Sequence, residues 1–160
     1  METIKLRKPT RLKDFDYSSK GAYFITICTE KRINYLSQIE SEKIILTPIG
    51  QRVEEQIIAL KKRYKSLKIL TYVIMPNHIH LLLEIYEEGG ASPSPTITDI
   101  ICAFKSLVSK IVKKEYSIAK LFQRSFYDHV IRNENDYLIK LNYILENPIK
   151  WTLDELYNEE

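Results

Sequence analysis

The chain has 160 residues and 18.9 kDa, with 44% hydrophobic and 28% charged residues, an ordinary globular balance with length enough to bury a core in one domain. It contains no apolar run of 18 residues, which argues against a spanning helix, and residues 1–8 lack the apolar segment of a signal peptide, so an intracellular protein is expected. Its net charge of +3 is unevenly spread: Lys5, Arg7, Lys8, Arg11 and Lys13 make residues 1–16 a basic arm, while Asp154, Glu155, Glu159 and Glu160 make residues 152–160 an acidic tail.

The basic arm suits a phosphate backbone, where each neutralised charge releases a counterion. After it, residues 22–29 (Ala-Tyr-Phe-Ile-Thr-Ile-Cys-Thr) are rich in aromatic and β-branched side chains and read as a central strand. Thr47-Pro48 opens a helix with a cap and a proline at the first position, and Ile49, Val53, Ile57, Leu60 and Tyr64 recur as its apolar stripe. Residues 68–75 form a second strand, Pro76 interrupts, and residues 78–85 form a third. Residues 87–95 are a linker by composition. Thr96 with Asp99 resembles a capping box, opening a helix that buries Ile97, Ile100, Ile101, Phe104, Leu107, Val108 and Ile111. Its other side carries Lys105, Lys110, Lys113 and Lys114, a basic face able to meet a nucleic acid. Residues 121–132 read as a further strand, and Asn133 caps a last helix over residues 134–147, ended by Pro148. Cys28 and Cys102 sit among apolar neighbours and are expected to be buried free thiols.

Two of the three histidines fall in Met75-Pro76-Asn77-His78-Ile79-His80, at the head of the third strand. Side chains alternate along a strand, so His78 and His80 share a face and can close on one metal ion. At about 100° per residue, the last helix gathers Tyr137, Leu138, Leu141, Ile144 and Leu145 in one apolar arc. Tyr143 falls about 200° from Leu141, with Asp136, Lys140 and Asn147 on the same polar side. The apolar stripe does not need this tyrosine, which makes it a candidate for chemistry.

Taken with Phe104-Lys105-Ser106, the run from Phe122 through Tyr127-Asp128-His129 to Arg132, and Asn142-Tyr143-Ile144-Leu145-Glu146-Asn147-Pro148, the histidine motif resembles the REP-associated tyrosine transposases. These belong to the single-tyrosine HUH transposases (His, hydrophobic, His). Tyr17 and the strand from Gly21 also fit, and the likeness runs from about residue 5 to 151 with the motifs in order. Departures are Phe122, where tryptophan is usual, and the short acidic tail after Trp151.

The resemblance implies an α+β, ferredoxin-like fold, a mostly antiparallel sheet with helices packed on one face. It makes His78 and His80 metal ligands, Tyr143 the nucleophile, and Asn147 a third, polar ligand one helical turn beyond it. A magnesium or manganese ion would polarise the scissile phosphodiester. The product would be a covalent 5′-phosphotyrosine that a 3′-hydroxyl can later resolve without ATP. The expected partner is single-stranded DNA, folded as a hairpin of the repetitive extragenic palindrome type, and the protein acts as monomer or homodimer, away from membranes. Arg7, Lys8, Arg11, Lys105 and Lys140 are candidate DNA contacts, Lys140 also standing near enough to ease ionisation of Tyr143. His129 is an accessory candidate, with a structural role the simpler reading. Two other functions stay open at this point: a domesticated DNA- or RNA-binding module that no longer cuts, and a metallohydrolase using water as nucleophile.

Overall fold

The computed structural model describes residues 21–86 and 95–159. Tyr17, the basic arm with Arg7, Lys8 and Arg11, and linker residues 87–94 lie outside the described residues. In chain order the elements are β1 (Gly21–Cys28), the short strands β2 (Ser37–Glu40) and β3 (Lys43–Leu46), α1 (Pro48–Arg63), β4 (Leu67–Ile74) and β5 (His78–Ile85). Then come α2 (Ile97–Tyr116), β6 (Tyr127–Val130) and α3 (Glu134–Glu146). Among the described residues no helix is long and apolar enough to cross a membrane.

The main sheet has the order β4-β5-β1-β6, with every neighbouring pair antiparallel. Strands β1, β4, β5 and β6 with α1 and α2 thus form the ferredoxin-like βαββαβ unit that the resemblance implies. Its helices start where the sequence places them. The Thr47 hydroxyl accepts from the Gly50 N–H at 3.0 Å, with Pro48 at the first helical position. Thr96 and Asp99 close both bonds of a capping box, each 3.1 Å.

Alternation along the strands sorts the core into two layers. Tyr23, Ile25 and Ile27 of β1 and Ile79, Leu81, Leu83 and Ile85 of β5 face α1 and α2. Phe24 of β1, Val73 of β4 and Leu82 of β5 face the other way, toward Ile144 of α3 and Trp151. The expectation of helices on one face is therefore met by α1 and α2 alone. Helix α3 packs on the opposite face, against β4 and β5. That is the face to which alternation sends His78 and His80.

Three local expectations change. The β2–β3 hairpin is an addition between β1 and α1 that the sequence does not announce. Its turn, Ser41-Glu42, takes left-handed φ of 49° and 64° with neither glycine nor asparagine. The strand expected over residues 121–132 is shorter: Leu121 and Phe122 are buried, but Phe122 only bridges to Thr29, and regular pairing with β1 begins at Tyr127. Cys28 is buried as expected, whereas Cys102 lies exposed on the outer side of α2.

Candidate active site

Strand β5 presents His78 and His80 side by side, their rings 4.6 Å apart and edge to face. In the β1–β5 ladder Cys28 stands opposite His78 and Thr26 opposite His80, so the neighbouring strand fixes the surroundings of both rings. His80 Nδ1 shares a hydrogen bond of 2.9 Å with the Thr26 hydroxyl, and the ring stacks on Phe24 at 5.0 Å. His78 Nδ1 is bonded to Asn77 Oδ1 at 2.8 Å, and Trp151 tilts over the ring at 5.9 Å. In each imidazole one nitrogen is thus occupied by the protein.

The other nitrogens, His78 Nε2 and His80 Nε2, are buried without a hydrogen-bond partner among the described residues, and so is Asn147 Oδ1. Buried polar atoms are rarely left so, because each forfeits its hydration, and three such atoms in one place call for a ligand. A fourth donor comes from the segment read as an acidic tail. After α3 the chain makes a short turn over Trp151–Leu153 and brings Asp154 back over the histidines. Asp154 Oδ2 accepts from Asn147 Nδ2 at 2.9 Å and lies 3.8 Å from His78 Nε2. Single donor atoms of His78, His80 and Asp154 lie within 4.8 Å of one another.

Protonation fits the same use. Burial, countered in part by Asp154, pushes His78 down to about 4. Burial, reinforced by the His78 and Lys140 charges, holds His80 well below its ordinary value. Both rings are neutral near pH 7 and keep a lone pair for a cation. Two imidazoles, an amide oxygen and a carboxylate form the mixed nitrogen and oxygen set that a divalent metal takes.

Tyr143 stands on α3 with its ring edge-on to His80 at 5.2 Å and to Phe24 at 6.0 Å. The 100° spacing places it opposite the apolar arc, but the contact face of α3 is rotated from that arc. Ile144 is buried and Tyr137 and Leu141 are half-buried, but Leu138 and Leu145 are 46% and 60% exposed. Asn147, about 60° round from Ile144, is buried in their place. Burial, then the charges of Asp154 and Glu155, raise the Tyr143 phenol above its ordinary range, with the Asn147 amide pulling the other way. A positive charge beside these carboxylates would reverse that balance. A cleft of 590 Å³ opens against the ring, lined by Phe24, Thr26, Arg32, His80, Tyr127 and Lys140 among others.

The remaining candidates part company. Lys140 lines this cleft, but its ammonium sits over the Phe24 ring at 5.1 Å and its charge is felt at His80, with no part in the Tyr143 shift. Lys105, expected on a solvated basic face, is buried. Its ammonium donates to the carbonyls of Gln123, Arg124 and Ser125 at 2.7, 3.0 and 3.3 Å. It holds the loop before β6 together, a task invisible in a helical charge pattern. His129 pairs with Asp136 at 2.8 Å on the surface and clasps the start of α3. Arg32 and Asp154 are what the sequence reading missed: one sits in a turn, the other in a run of acids, and neither has a motif around it.

Comparison with known proteins places these residues in context. A family model described as transposase, IS200-like, matches residues 18–147, a stretch that includes His78, His80, Tyr143 and Asn147 and ends before Asp154. An uncharacterised protein of Haemophilus influenzae is 33% identical over 170 residues, covering 96% of this chain and 94% of its own. A REP-associated tyrosine transposase of Escherichia coli K12 is 28% identical over 138 residues, covering 84% of this chain and 70% of its own. Among solved structures, a REP-associated tyrosine transposase bound to a REP hairpin has a TM-score of 0.58 at 23% identity, covering 88% of this chain and 74% of its own. At that identity the likeness is one of fold.

Proposed function

The chain belongs to the IS200-like transposase family, among the REP-associated tyrosine transposases, and we propose that it cuts and rejoins single-stranded DNA through Tyr143. The observation that carries this reading is the convergence of three buried, unpartnered polar atoms on His78, His80 and Asn147 beside the ring of Tyr143. His78, His80 and Asn147 would hold a magnesium or manganese ion, with Asp154 as a further donor.

When bound, such an ion supplies Lewis-acid polarisation of the scissile phosphodiester and a positive field at the phenol. The protein does the rest. Phe24 and His80 pack edge-on against the Tyr143 ring, which lines the cleft. Tyr143 loses its proton to solvent in the cleft and attacks phosphorus. The bond to the 3′-oxygen breaks, and that oxygen takes a proton from solvent. A 5′-phosphotyrosine remains, with the ester bond conserved. A second strand's 3′-hydroxyl then attacks the same phosphorus, releases the phenol and joins the DNA without ATP. Arg32 and Lys140 at the cleft would neutralise backbone phosphates on either side of the scissile one. The relative's REP hairpin supports a hairpin substrate here as well.

Incubation with end-labelled hairpin strands and Mn2+ tests the proposal. A denaturant-resistant protein–DNA adduct is expected, and it disappears in Tyr143→Phe. Cleavage that survives Tyr143→Phe would assign the attack to water, and binding without cleavage would leave a binding module.

A further inference from the structure

We propose that Asn77 is the positioning residue of this centre: its amide fixes which nitrogen of His78 faces the cation and ties that ring to the two segments closing over it. The inference rests on the reading of His78 as a metal ligand.

Asn77 lies in the bend between β4 and β5 and is 1% exposed. Its Nδ2 donates to the carbonyl of Leu156 at 2.7 Å and to that of Arg32 at 3.3 Å. Carbonyls only accept, so the NH2 end of the amide must point there and Oδ1 must point to His78 Nδ1. That oxygen also only accepts, so Nδ1 must carry the hydrogen. A neutral imidazole has one such hydrogen, and the lone pair is therefore on Nε2, the buried and unpartnered nitrogen that faces Asp154. A ligating histidine generally needs its remote N–H held in this way, by a carboxylate, a carbonyl or water. Here an amide does it, because this position must also donate twice.

The two donations reach the walls of the site. Leu156 N–H in turn donates to Asp154 Oδ1 at 2.8 Å, so the grip on Leu156 locates the carboxylate. Lys31 and Arg32 both take left-handed φ, 53° and 55°, a conformation costly for side-chain-bearing residues that surrounding bonds must maintain. The Arg32 carbonyl is held by Asn77 and by Asn158 Nδ2 at 3.1 Å. The Asn77 backbone is anchored too, its carbonyl accepting from Thr29 N and Thr29 Oγ1 at 2.9 and 3.1 Å.

Asn77→Ala, Asn77→Asp and His78→Ala of the full chain test this with three readouts. In the metal-free wild type, nitrogen–proton correlation spectra should show His78 protonated at Nδ1. Asn77→Ala should give mixed tautomers and weaken Mn2+ binding, measured by paramagnetic titration, by about 10–100-fold. Asn77→Asp keeps an acceptor but no donor. It should keep the proton on Nδ1 and hold Mn2+ affinity within a few-fold of wild type, while amide exchange over residues 154–158 accelerates about tenfold. An unchanged tautomer and affinity in Asn77→Ala would overturn the proposal, as would unchanged exchange in Asn77→Asp. Should Asn77→Ala fail to fold, loss of the Nδ1 proton in Asn77→Asp overturns it equally. If His78→Ala leaves Mn2+ binding intact, the metal-site reading falls. If it abolishes binding while Asn77→Ala does not, only the role of Asn77 falls.

Discussion

Burying an imidazole with one nitrogen unsatisfied destabilises the metal-free protein, by about 1–3 kcal/mol for each such group. The cost grows in acid. His78 sits at about 4 in the folded chain against 6.5 for a free side chain, and His80 is also depressed. Below pH 6.5 the unfolded chain takes up protons that the native rings refuse, so stability falls as pH drops from about 6.5 toward 4. The urea midpoint of metal-free protein should decline across that window, more steeply than in His78→Gln. A midpoint independent of pH there would mean that the rings are not held neutral. Lys105 teaches the opposite lesson at the same scale. Its ammonium is bound by three carbonyls, so a charge counted toward a solvated surface is in fact a structural bolt.

At the level of elements, the hairpin β2–β3 and helix α1 meet at Gly50. A Cβ added there would lie 1.9 Å from the Leu36 carbonyl oxygen, in backbone that cannot swing aside. The glycine is kept for this approach and not for its dihedral freedom. Alanine is the better helix former by about 1 kcal/mol, yet the clash should outweigh it. Gly50→Ala is expected to lower stability by about 2 kcal/mol net, read as a fall in Tm of roughly 4–8 °C. A neutral or stabilising result would show that the hairpin can move off the helix. The rotation of α3 is a matter of elements too. A helix turns its most apolar arc inward only when nothing else competes, and here Tyr143 meets His80 on the sheet while Asn147 donates to Asp154 of the returning tail.

In the whole molecule the site is assembled from β5 and, far from it along the chain, α3 with the turn that follows. A cation that bridges them binds the native state and not the unfolded one, so it must stabilise the fold. At 100 times its Kd, Mn2+ should add about 2.7 kcal/mol, a rise in Tm on the order of 5–10 °C. His80→Ala should abolish the rise. If wild type shows no shift at saturating Mn2+, the four donors do not act as one site.

By itself the sequence determined the strands and helices of the βαββαβ unit, their caps, and the pairing of His78 with His80, because strand alternation and helix capping are local rules. It also supplied Tyr143 and Asn147 as neighbours on one helix side. Only the tertiary structure decided that α3 lies on the histidine face, that Asp154 folds back over the rings, and that Lys105 is internal. These depend on which distant surfaces meet, and a hairpin of two four-residue strands or a returning tail carries no periodic signal by which a chain could declare it.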